Sequence, residues 1–210
     1  DSRQYNLAGV MGWPVAHSRS PTIHGYWIDH YGLSGAYVLL PVAPERLANA
    51  LRGLAALGFA GCNVTIPHKV PAMHLVDRVD AFARRIGAIN TIVLEQGRLV
   101  GFNTDATGAL RALREGGATL AGQRIIMMGS GGSARAIAFA LAAESKAEAL
   151  ILLGVDDKER VALARDLRAK TSVVVEEYSL DERVLGRTVP DAQVLIHCTP
   201  VGMSPRADAT

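Results

Sequence analysis

The chain has 210 residues, of which 49% are hydrophobic and 20% are charged, and its formal net charge is +2. This composition is typical of a globular protein with one large domain or two small ones, and it excludes a disordered chain. The small net charge and the lack of a Lys/Arg block argue against nucleic acid as a partner. No apolar run reaches the roughly 18 residues that a membrane-spanning helix requires.

Cysteine content and the N-terminal composition indicate the cellular compartment. Cys62 and Cys198 are the only two cysteines, and they lie far apart in apolar stretches. The first residues lack the basic and then apolar pattern of a secretory signal. We therefore expect a cytoplasmic protein whose thiols are buried and reduced rather than joined in a disulfide.

Residues 1–103 predict a mixed α/β domain with its own core. Short apolar runs bounded by Gly or Pro indicate strands, and amphipathic stretches that begin near Pro indicate helices. The predicted strands cover residues 7–11, 36–41 and 61–66, and the predicted helices cover residues 22–31, 44–57, 70–74 and 80–86. Gln96-Gly97 between two further apolar runs, 91–94 and 98–101, is a hairpin signal.

Residues 104–210 predict a Rossmann-type, doubly wound parallel sheet. Strands are expected over residues 125–128, 150–153, 172–175 and 194–198, with helices over 106–115, after the first strand, and over 158–170. The alternation of strand and helix is typical of βαβ units. Because a Rossmann domain normally has about six strands, we expect a further C-terminal part beyond residue 210.

A glycine-rich turn joins the first strand of this second half to its helix. It follows the pattern G-x-G-x-x-A and ends at Ala134, which is the dinucleotide-binding pattern when a strand precedes it and a helix follows. Backbone N–H groups and the positive end of the helix dipole then hold the phosphates. The predicted cofactor-binding residues are Gly129, Ser130, Gly131, Gly132 and Ser133.

Three polar clusters outside the turn are candidates for substrate chemistry. Ser18 and Ser20 precede a predicted helix, where hydroxyls cradle a carboxylate or merely cap the helix. Lys69 follows the Asn-Val-Thr-Ile-Pro-His segment at a strand end, although a single lysine on a loop is usually solvated. Asn90 and Asp105 form the third cluster, for which an N-cap is the alternative role.

Together these clusters suit a small polyhydroxylated acid. A lysine and an aspartate within reach of one hydroxyl can exchange its proton while a nicotinamide takes or gives hydride. Lys69 is the better proton donor and acceptor of the pair, and Asp105 would orient the hydroxyl. Histidines 24, 30, 68 and 74 lack the paired spacing of a metal site, so we predict no metal.

Six motifs resemble those of the shikimate dehydrogenase family, in the same order and at similar spacing. They are His17-Ser-Arg-Ser-Pro21, Asn63-Val-Thr-Ile-Pro-His-Lys69, Gly87-Ala-Ile-Asn-Thr91, Asn103-Thr-Asp105, the Gly129 turn and Cys198-Thr-Pro-Val-Gly-Met203. The resemblance implies an N-terminal half that binds shikimate, a C-terminal half that binds NADP, and reversible reduction of 3-dehydroshikimate in aromatic amino acid biosynthesis.

The resemblance also implies roles for individual residues. Ser18 and Ser20 would bind the substrate carboxylate. Thr65, Asn90 and Asp105 would contact ring hydroxyls, with Lys69 and Asp105 as the catalytic pair. The turn from Gly129 to Ser133 would hold the pyrophosphate, and the segment from Thr199 to Met203 would lie along the nicotinamide.

The chain departs from the family pattern after its second Rossmann strand. Members usually have Asn-Arg-Thr there, with the Arg on the 2′-phosphate of NADP, whereas this chain has Gly154-Val-Asp-Asp157. Asp156 and Asp157 favour the ribose hydroxyl of NAD and repel a phosphate. Lys158 and Arg160 offer a partial replacement for the missing Arg.

Two further departures and two alternatives remain at this stage. His197 occupies a position where the family often has Asn, and the family's C-terminal Gln and returning helix are absent from the 210 residues. One alternative is a quinate/shikimate dehydrogenase that prefers NAD. The other is a non-catalytic, nucleotide-binding regulator on the same fold. The protein is also a possible homodimer.

Overall fold

The computed structural model describes residues 5–203 and residue 208. The chain divides into two compact units, of which the first ends at Thr104 and the second begins at Asp105. Each unit contains its own β-sheet. This arrangement confirms the predicted α/β fold class, with a mixed sheet in the first unit and a parallel sheet in the second.

The described residues of the first unit, 5–104, form six strands, three helices and two 3-10 turns. Its strands are β1 (Asn6–Gly12), β2 (Gly35–Pro41), β3 (Gly61–Val64), β4 (Arg78–Val79), β5 (Thr91–Glu95) and β6 (Arg98–Phe102). Its helices are α1 (Ser20–His30), α2 (Leu47–Ala56) and α3 (Ala81–Ile86), and the 3-10 turns cover Pro44–Arg46 and Pro71–His74.

The strand order of the first sheet places the loops after β1, β2 and β3 at the same end of the sheet. The order is β2-β1-β3-β5-β6-β4, with β1 parallel to both β2 and β3. Only β5 runs antiparallel to its neighbours β3 and β6. The carboxyl ends of β1 and β3 therefore lie side by side, above a core that includes Met11, Leu51 and Ile92.

The first unit differs from the sequence prediction in its short elements. The helix predicted over residues 44–57 begins as a 3-10 turn, and the helix predicted over residues 70–74 is a 3-10 turn throughout. Four residues give too few i→i+4 hydrogen bonds to stabilise an α-helix. Strand β4 was not predicted, because two residues carry no periodicity and only the pairing with β6 defines them.

The part of the second unit that the structure describes contains four strands and four helices. The strands are β7 (Arg124–Met128), β8 (Ala149–Gly154), β9 (Val174–Ser179) and β10 (Val194–His197). The helices are α4 (Asp105–Glu115), α5 (Gly132–Glu144), α6 (Asp157–Lys170) and α7 (Glu182–Thr188), followed by a 3-10 turn at Val189–Asp191. All neighbouring strands are parallel, in the order β10-β7-β8-β9.

This order corresponds to the first four strands of the Rossmann arrangement, 3-2-1-4. Successive strands are added on one side of β7 as far as β9, and β10 is then added on the other side. The carboxyl ends of β7 and β10 therefore flank the switch point. Ligands of open α/β sheets bind in the crevice at such a point. The glycine turn follows β7, and the segment that begins at Cys198 follows β10.

Strand β9 is the clearest error of the sequence prediction in this unit. It was predicted over residues 172–175, but it covers Val174–Ser179 and contains two glutamates. Charged residues are unexpected in a parallel strand, but here each has an arginine partner. Glu176 pairs with Arg124 at 2.7 Å and Glu177 pairs with Arg160 at 2.7 Å.

Helix α7 was not predicted. Asp181 caps it by accepting from the Val184 N–H at 2.8 Å.

The Arg124–Glu176 pair predicts acid-dependent stability. The hydrogen bond from Arg124 is the largest cause that lowers the pKa of Glu176, so the pair stabilises the fold above the ordinary glutamate pKa of about 4.3 and is lost as the pH falls below it. Glu176→Gln should cost about 0.5–1.5 kcal/mol at pH 7. Urea unfolding at several pH values should show this deficit shrinking in acid; an equal deficit at every pH would contradict the ion pair.

Candidate functional site

Ser18 and Ser20 lie in the loop after β1, at the start of α1. The Ser18 hydroxyl donates to Ser20 Oγ at 3.1 Å, and the Ser20 N–H donates to Ser18 Oγ at 3.3 Å. The N-cap position is Arg19, which makes no side-chain cap, and both serines are half-buried. The two hydroxyls therefore sit side by side at the positive end of an 11-residue helix, an arrangement that suits a carboxylate.

Thr65 and Lys69 lie in the loop after β3, next to the carboxyl end of β1. The Thr65 N–H donates to the Met11 carbonyl at 2.9 Å. A Cβ added to Gly12 would lie 2.5 Å from Thr65 Cγ2, so only glycine permits this close approach of the two loops. The Lys69 carbonyl accepts from the Ile89 N–H at 2.9 Å, which fixes the lysine backbone against the segment that contains Asn90.

His68, directly before Lys69, anchors this loop in the core. Its side chain is fully buried, and its Nε2 lies 2.7 Å from the Val42 carbonyl oxygen. Because a carbonyl only accepts, Nε2 carries the proton and donates. Its Nδ1 is buried without a hydrogen-bond partner among the described residues. His68 is therefore a structural anchor for Lys69.

Asn90 braces the end of the first unit. It is 9% exposed, and its Oδ1 accepts from the Thr104 N–H at 2.9 Å and from the Thr91 hydroxyl at 3.0 Å. Its Nδ2 donates to Thr104 Oγ1 at 2.9 Å. The Asn90 backbone carbonyl accepts from the Val64 N–H at 2.7 Å. One residue therefore connects the β3 loop to the chain directly before Asp105.

Tyr37 extends this network to α1, a role that no sequence motif indicates. Its hydroxyl donates to Asn63 Oδ1 at 2.6 Å, and Asn63 Nδ2 donates to Thr91 Oγ1 at 3.2 Å. Burial raises the pKa of Tyr37, so the phenol stays protonated and remains a donor. The ring of His24 stacks on Tyr37 with centroids 4.0 Å apart. A pattern search misses Tyr37 because it occupies an ordinary strand position.

Asp105 is the first residue of α4 and of the second unit. It is half-buried and occupies the first turn of the helix, where a carboxylate interacts favourably with the helix dipole. Thr104, its neighbour in the chain, is held by Asn90. The network around Asn90 therefore holds Thr104, the last residue of the first unit, directly before Asp105.

The glycine turn follows β7 with the backbone geometry that its sequence requires. Gly129 has a φ of 111°, and a Cβ there would lie 2.9 Å from the Cys198 carbonyl oxygen. Gly131 is the N-cap of α5 and contributes no side-chain cap. The first-turn N–H groups of this 13-residue helix lie at the turn. Ala134 is fully buried, as close packing of helix on sheet requires. The turn suits a pyrophosphate.

The remaining turn residues, Ser130, Gly132 and Ser133, lie around the N-terminus of α5. Ser130 is 7% exposed, and its Oγ would lie 3.1 Å from a Cβ added to Gly154 at the end of β8. Gly132 and Ser133 are half-buried in the first turn of the helix. Ser130 therefore packs against the second strand, while Gly132 and Ser133 belong to the helix terminus itself.

The segment after β10 lies beside the glycine turn. The Cys198 N–H donates to the Met128 carbonyl at 2.7 Å. Thr199 Oγ1 lies 2.7 Å from His197 Nε2 and accepts from the Val201 N–H at 3.2 Å. His197 therefore has a specific partner in this segment. Met203 is 44% exposed, and its N–H donates to the Pro200 carbonyl at 3.1 Å. Cys198 is half-buried rather than buried, and neither Cys62 nor Cys198 is part of a disulfide.

The loop after β8 corrects one expectation about phosphate binding. Arg160 was a candidate to replace the missing arginine, but it is only 8% exposed. Its guanidinium donates to Glu177 at 2.7 Å, to the Gly154 carbonyl at 3.0 Å and to Asp157. These contacts hold it inside the α6–β9 packing. Lys158 is exposed, and Asp156 caps α6 by accepting from the Glu159 N–H at 2.9 Å.

The described residues, 5–203 and 208, contain neither a membrane-spanning helix nor a metal-binding cluster. No helix among them is long and apolar enough to cross a membrane. No group of three or more His, Cys, Asp or Glu side chains among them is arranged to hold a metal ion.

Asn90→Ala tests whether the hydrogen bonds of the Asn90 side chain stabilise the first unit. The change leaves the Thr104 N–H and the Thr91 hydroxyl without their acceptor, so we expect the free energy of unfolding to fall by about 1–3 kcal/mol. Asn49→Ala is the matched control, because Asn49 is exposed and bonds only the exposed Arg52 among the contacts observed; it should change stability by less than about 0.5 kcal/mol. Equal losses in urea unfolding of the two variants would contradict the role of Asn90.

Comparison with known proteins completes the description of the site. A family profile for the shikimate dehydrogenase substrate binding domain matches residues 10–92. The chain is 44% identical over 207 residues to the shikimate dehydrogenase (NADP(+)) of Methanopyrus kandleri, which covers 97% of this chain and 70% of that relative.

Solved structures agree with the sequence match. A shikimate dehydrogenase crystallised in complex with NADP+ has a TM-score of 0.85 at 36% identity, and the match covers 98% of this chain and 70% of that one. The shikimate 5-dehydrogenase of Listeria monocytogenes, in complex with shikimate and NAD, has a TM-score of 0.84 at 28% identity, covering 98% and 72%. The chain belongs to the shikimate dehydrogenase family.

Proposed function

We propose that this protein reversibly reduces 3-dehydroshikimate to shikimate with a nicotinamide dinucleotide. The observation that carries the proposal is that one chain contains both a set of polar side chains suited to the substrate and a turn suited to the dinucleotide. The first unit holds hydroxyls, an amide and Lys69 on neighbouring loops, and the second unit holds a glycine turn at the switch point of a Rossmann sheet. The names of the relatives, most of which are shikimate dehydrogenases, support the same reaction.

The substrate carboxylate binds Ser18 and Ser20 in this proposal. Their hydroxyls are 3.1 Å apart at the start of α1, so both can donate to one carboxylate whose charge the helix dipole stabilises. Thr65 and Asn90 contact the ring hydroxyls from the neighbouring loops. A neutral, hydroxyl-rich ring fits these donors and acceptors better than an apolar ligand would.

Lys69 and Asp105 carry the proton step. In the reductive direction, the Lys69 ammonium gives its proton to the ketone oxygen as the carbon gains hydride, and in the oxidative direction the neutral amine takes the proton back. Asp105 accepts a hydrogen bond from the same hydroxyl and orients it. His68 keeps the lysine backbone in place through its hydrogen bond to Val42.

The second unit holds the cofactor, which supplies hydride exchange when bound. The turn formed by Gly129, Ser130, Gly131, Gly132 and Ser133 receives the pyrophosphate through backbone N–H groups. Thr199 and Met203 line the position of the nicotinamide. The exposed thioether of Met203 provides an apolar surface for a flat ring.

The loop after β8 favours a second, finer proposal: NAD is accepted at least as readily as NADP. Val155 is 80% exposed where the family has an arginine, and Asp156 and Asp157 follow it. Arg160 is held by Glu177 and the Gly154 carbonyl. The curated relatives are named for NADP(+), whereas the Listeria monocytogenes structure contains NAD. The acidic loop supports binding of NAD by this protein as well. It also supports the alternative of a quinate/shikimate dehydrogenase that prefers NAD.

Three further expectations stay predictions: the regulator, the cytoplasmic location and the homodimer. The regulator is less favoured than the enzyme, because each proposed catalytic and substrate position carries the residue of the family motif. One observation supports the homodimer: α1 has no buried residue and exposes Tyr26 and Trp27, and Tyr31 directly after it is exposed as well. Helix α1 lies beside the edge strand β2.

Replacement of the lysine tests the proton step. Lys69→Ala should lower kcat/KM for shikimate oxidation about 10²–10⁴-fold, while the Kd for the dinucleotide stays unchanged, since Lys69 belongs to the first unit. Lys146→Gln is the control, because Lys146 is exposed at the end of α5 and should leave both quantities unchanged. Near-wild-type turnover by Lys69→Ala would favour the regulator instead.

Initial rates with both dinucleotides test the cofactor proposal. Shikimate and quinate should each be assayed with NAD+ and NADP+. We expect kcat/KM with NAD+ to equal or exceed that with NADP+, because the acidic loop disfavours the 2′-phosphate. A preference for NADP+ above about tenfold, or 1.4 kcal/mol, would contradict the proposal.

A further inference from the structure

Three carboxylates lie at the N-terminus of α6, close to the glycine turn, and they differ in what they contact. Asp156 is the N-cap, Asp157 is the first helical residue, and Glu159 is the third. All three are exposed. From the sequence alone they are equivalent sources of negative charge. Their contacts in the structure assign them different tasks.

Asp156 and Asp157 are engaged by the helix itself. Asp156 Oδ1 accepts from the Glu159 N–H at 2.9 Å and so satisfies a donor of the first turn. Asp157 Oδ1 lies 2.5 Å from Arg160 Nη1, whose side chain is 10% exposed. The same guanidinium also bonds Glu177 at 2.7 Å. The Asp157 carboxylate is therefore engaged by Arg160, which it shares with Glu177.

Glu159 extends toward the glycine turn. Its Oε2 lies 4.0 Å from the position that a Cβ on Gly131 would occupy. A glutamate at the third helical position often folds back to the N–H of the N-cap residue, but here its carboxylate reaches the N-cap of α5 instead. The Ser130 hydroxyl lies close to the end of β8, 3.1 Å from the position that a Cβ on Gly154 would occupy.

We propose that Glu159 is the residue that weakens the binding of NADP relative to NAD. Its carboxylate accepts hydrogen bonds from the adenosine ribose hydroxyls and repels a 2′-phosphate, which carries about −1.5 to −2 charges at pH 7. Arg160 is a positioning residue that holds Asp157 and the loop. This inference rests on the proposed binding of a nicotinamide dinucleotide and names the residue that discriminates within it.

The test measures binding, independently of turnover. The Kd values for NAD+ and NADP+ should be determined by calorimetry for the wild type, Glu159→Gln and Glu159→Lys, at low and at physiological ionic strength. Glu159→Gln should tighten NADP+ binding about tenfold at low salt with less than threefold change for NAD+, and the effect should shrink as salt screens the charge. Glu159→Lys should tighten NADP+ further.

Two sets of variants separate the possible outcomes. Glu182→Gln, the same change in the first turn of α7, should leave the ratio of the two Kd values unchanged. Asp156→Asn, which keeps a capping oxygen, and Asp157→Asn should shift the ratio less than Glu159→Gln does. A larger shift from either Asp variant, or an unchanged ratio in a Glu159→Gln protein that binds both dinucleotides, would overturn the inference alone. Failure of the wild type to bind either dinucleotide would overturn the proposed function as well.

Discussion

The Asn90 side chain and backbone hold the first unit's candidate site in one arrangement. The backbone carbonyl accepts from Val64 at the end of β3, and the side-chain oxygen accepts from the Thr104 N–H. A buried amide with several partners admits few alternatives, because each lost partner leaves a polar group unsatisfied in the core. The positions of Thr65, Lys69 and the chain leading to Asp105 follow from this constraint.

The second unit depends on a constraint of a different kind, the close approach of two loops at the switch point of the sheet. Gly129 has no Cβ because the Cys198 carbonyl occupies that space. The strand order then brings the glycine turn beside the segment from Thr199 to Met203. The proposed pyrophosphate site therefore depends on backbone topology, whereas the proposed choice between NAD and NADP depends on the Glu159 side chain.

Much of the fold was predictable because its signals are local. The apolar run before the glycine turn gave β7, and Gln96-Gly97 gave the hairpin, where both residues have positive φ. The extent of β9 was not predictable, because its glutamates are tolerated only through Arg124 and Arg160, which are distant in sequence. The same limit applied to the site: motif residues were identifiable, whereas Tyr37, Glu159 and the sequestration of Arg160 depend on contacts that no spacing encodes.

Deuterium transfer tests the central claim, that this chain oxidises shikimate through a nicotinamide, most directly. Shikimate deuterated at the carbon that bears the reacting hydroxyl should be incubated with the protein and NAD+ or NADP+, and the reduced dinucleotide analysed by mass spectrometry. We expect one deuterium in the reduced dinucleotide and none in the 3-dehydroshikimate formed. Reduced dinucleotide without deuterium, or no reduction with either cofactor despite tight binding, would contradict the account.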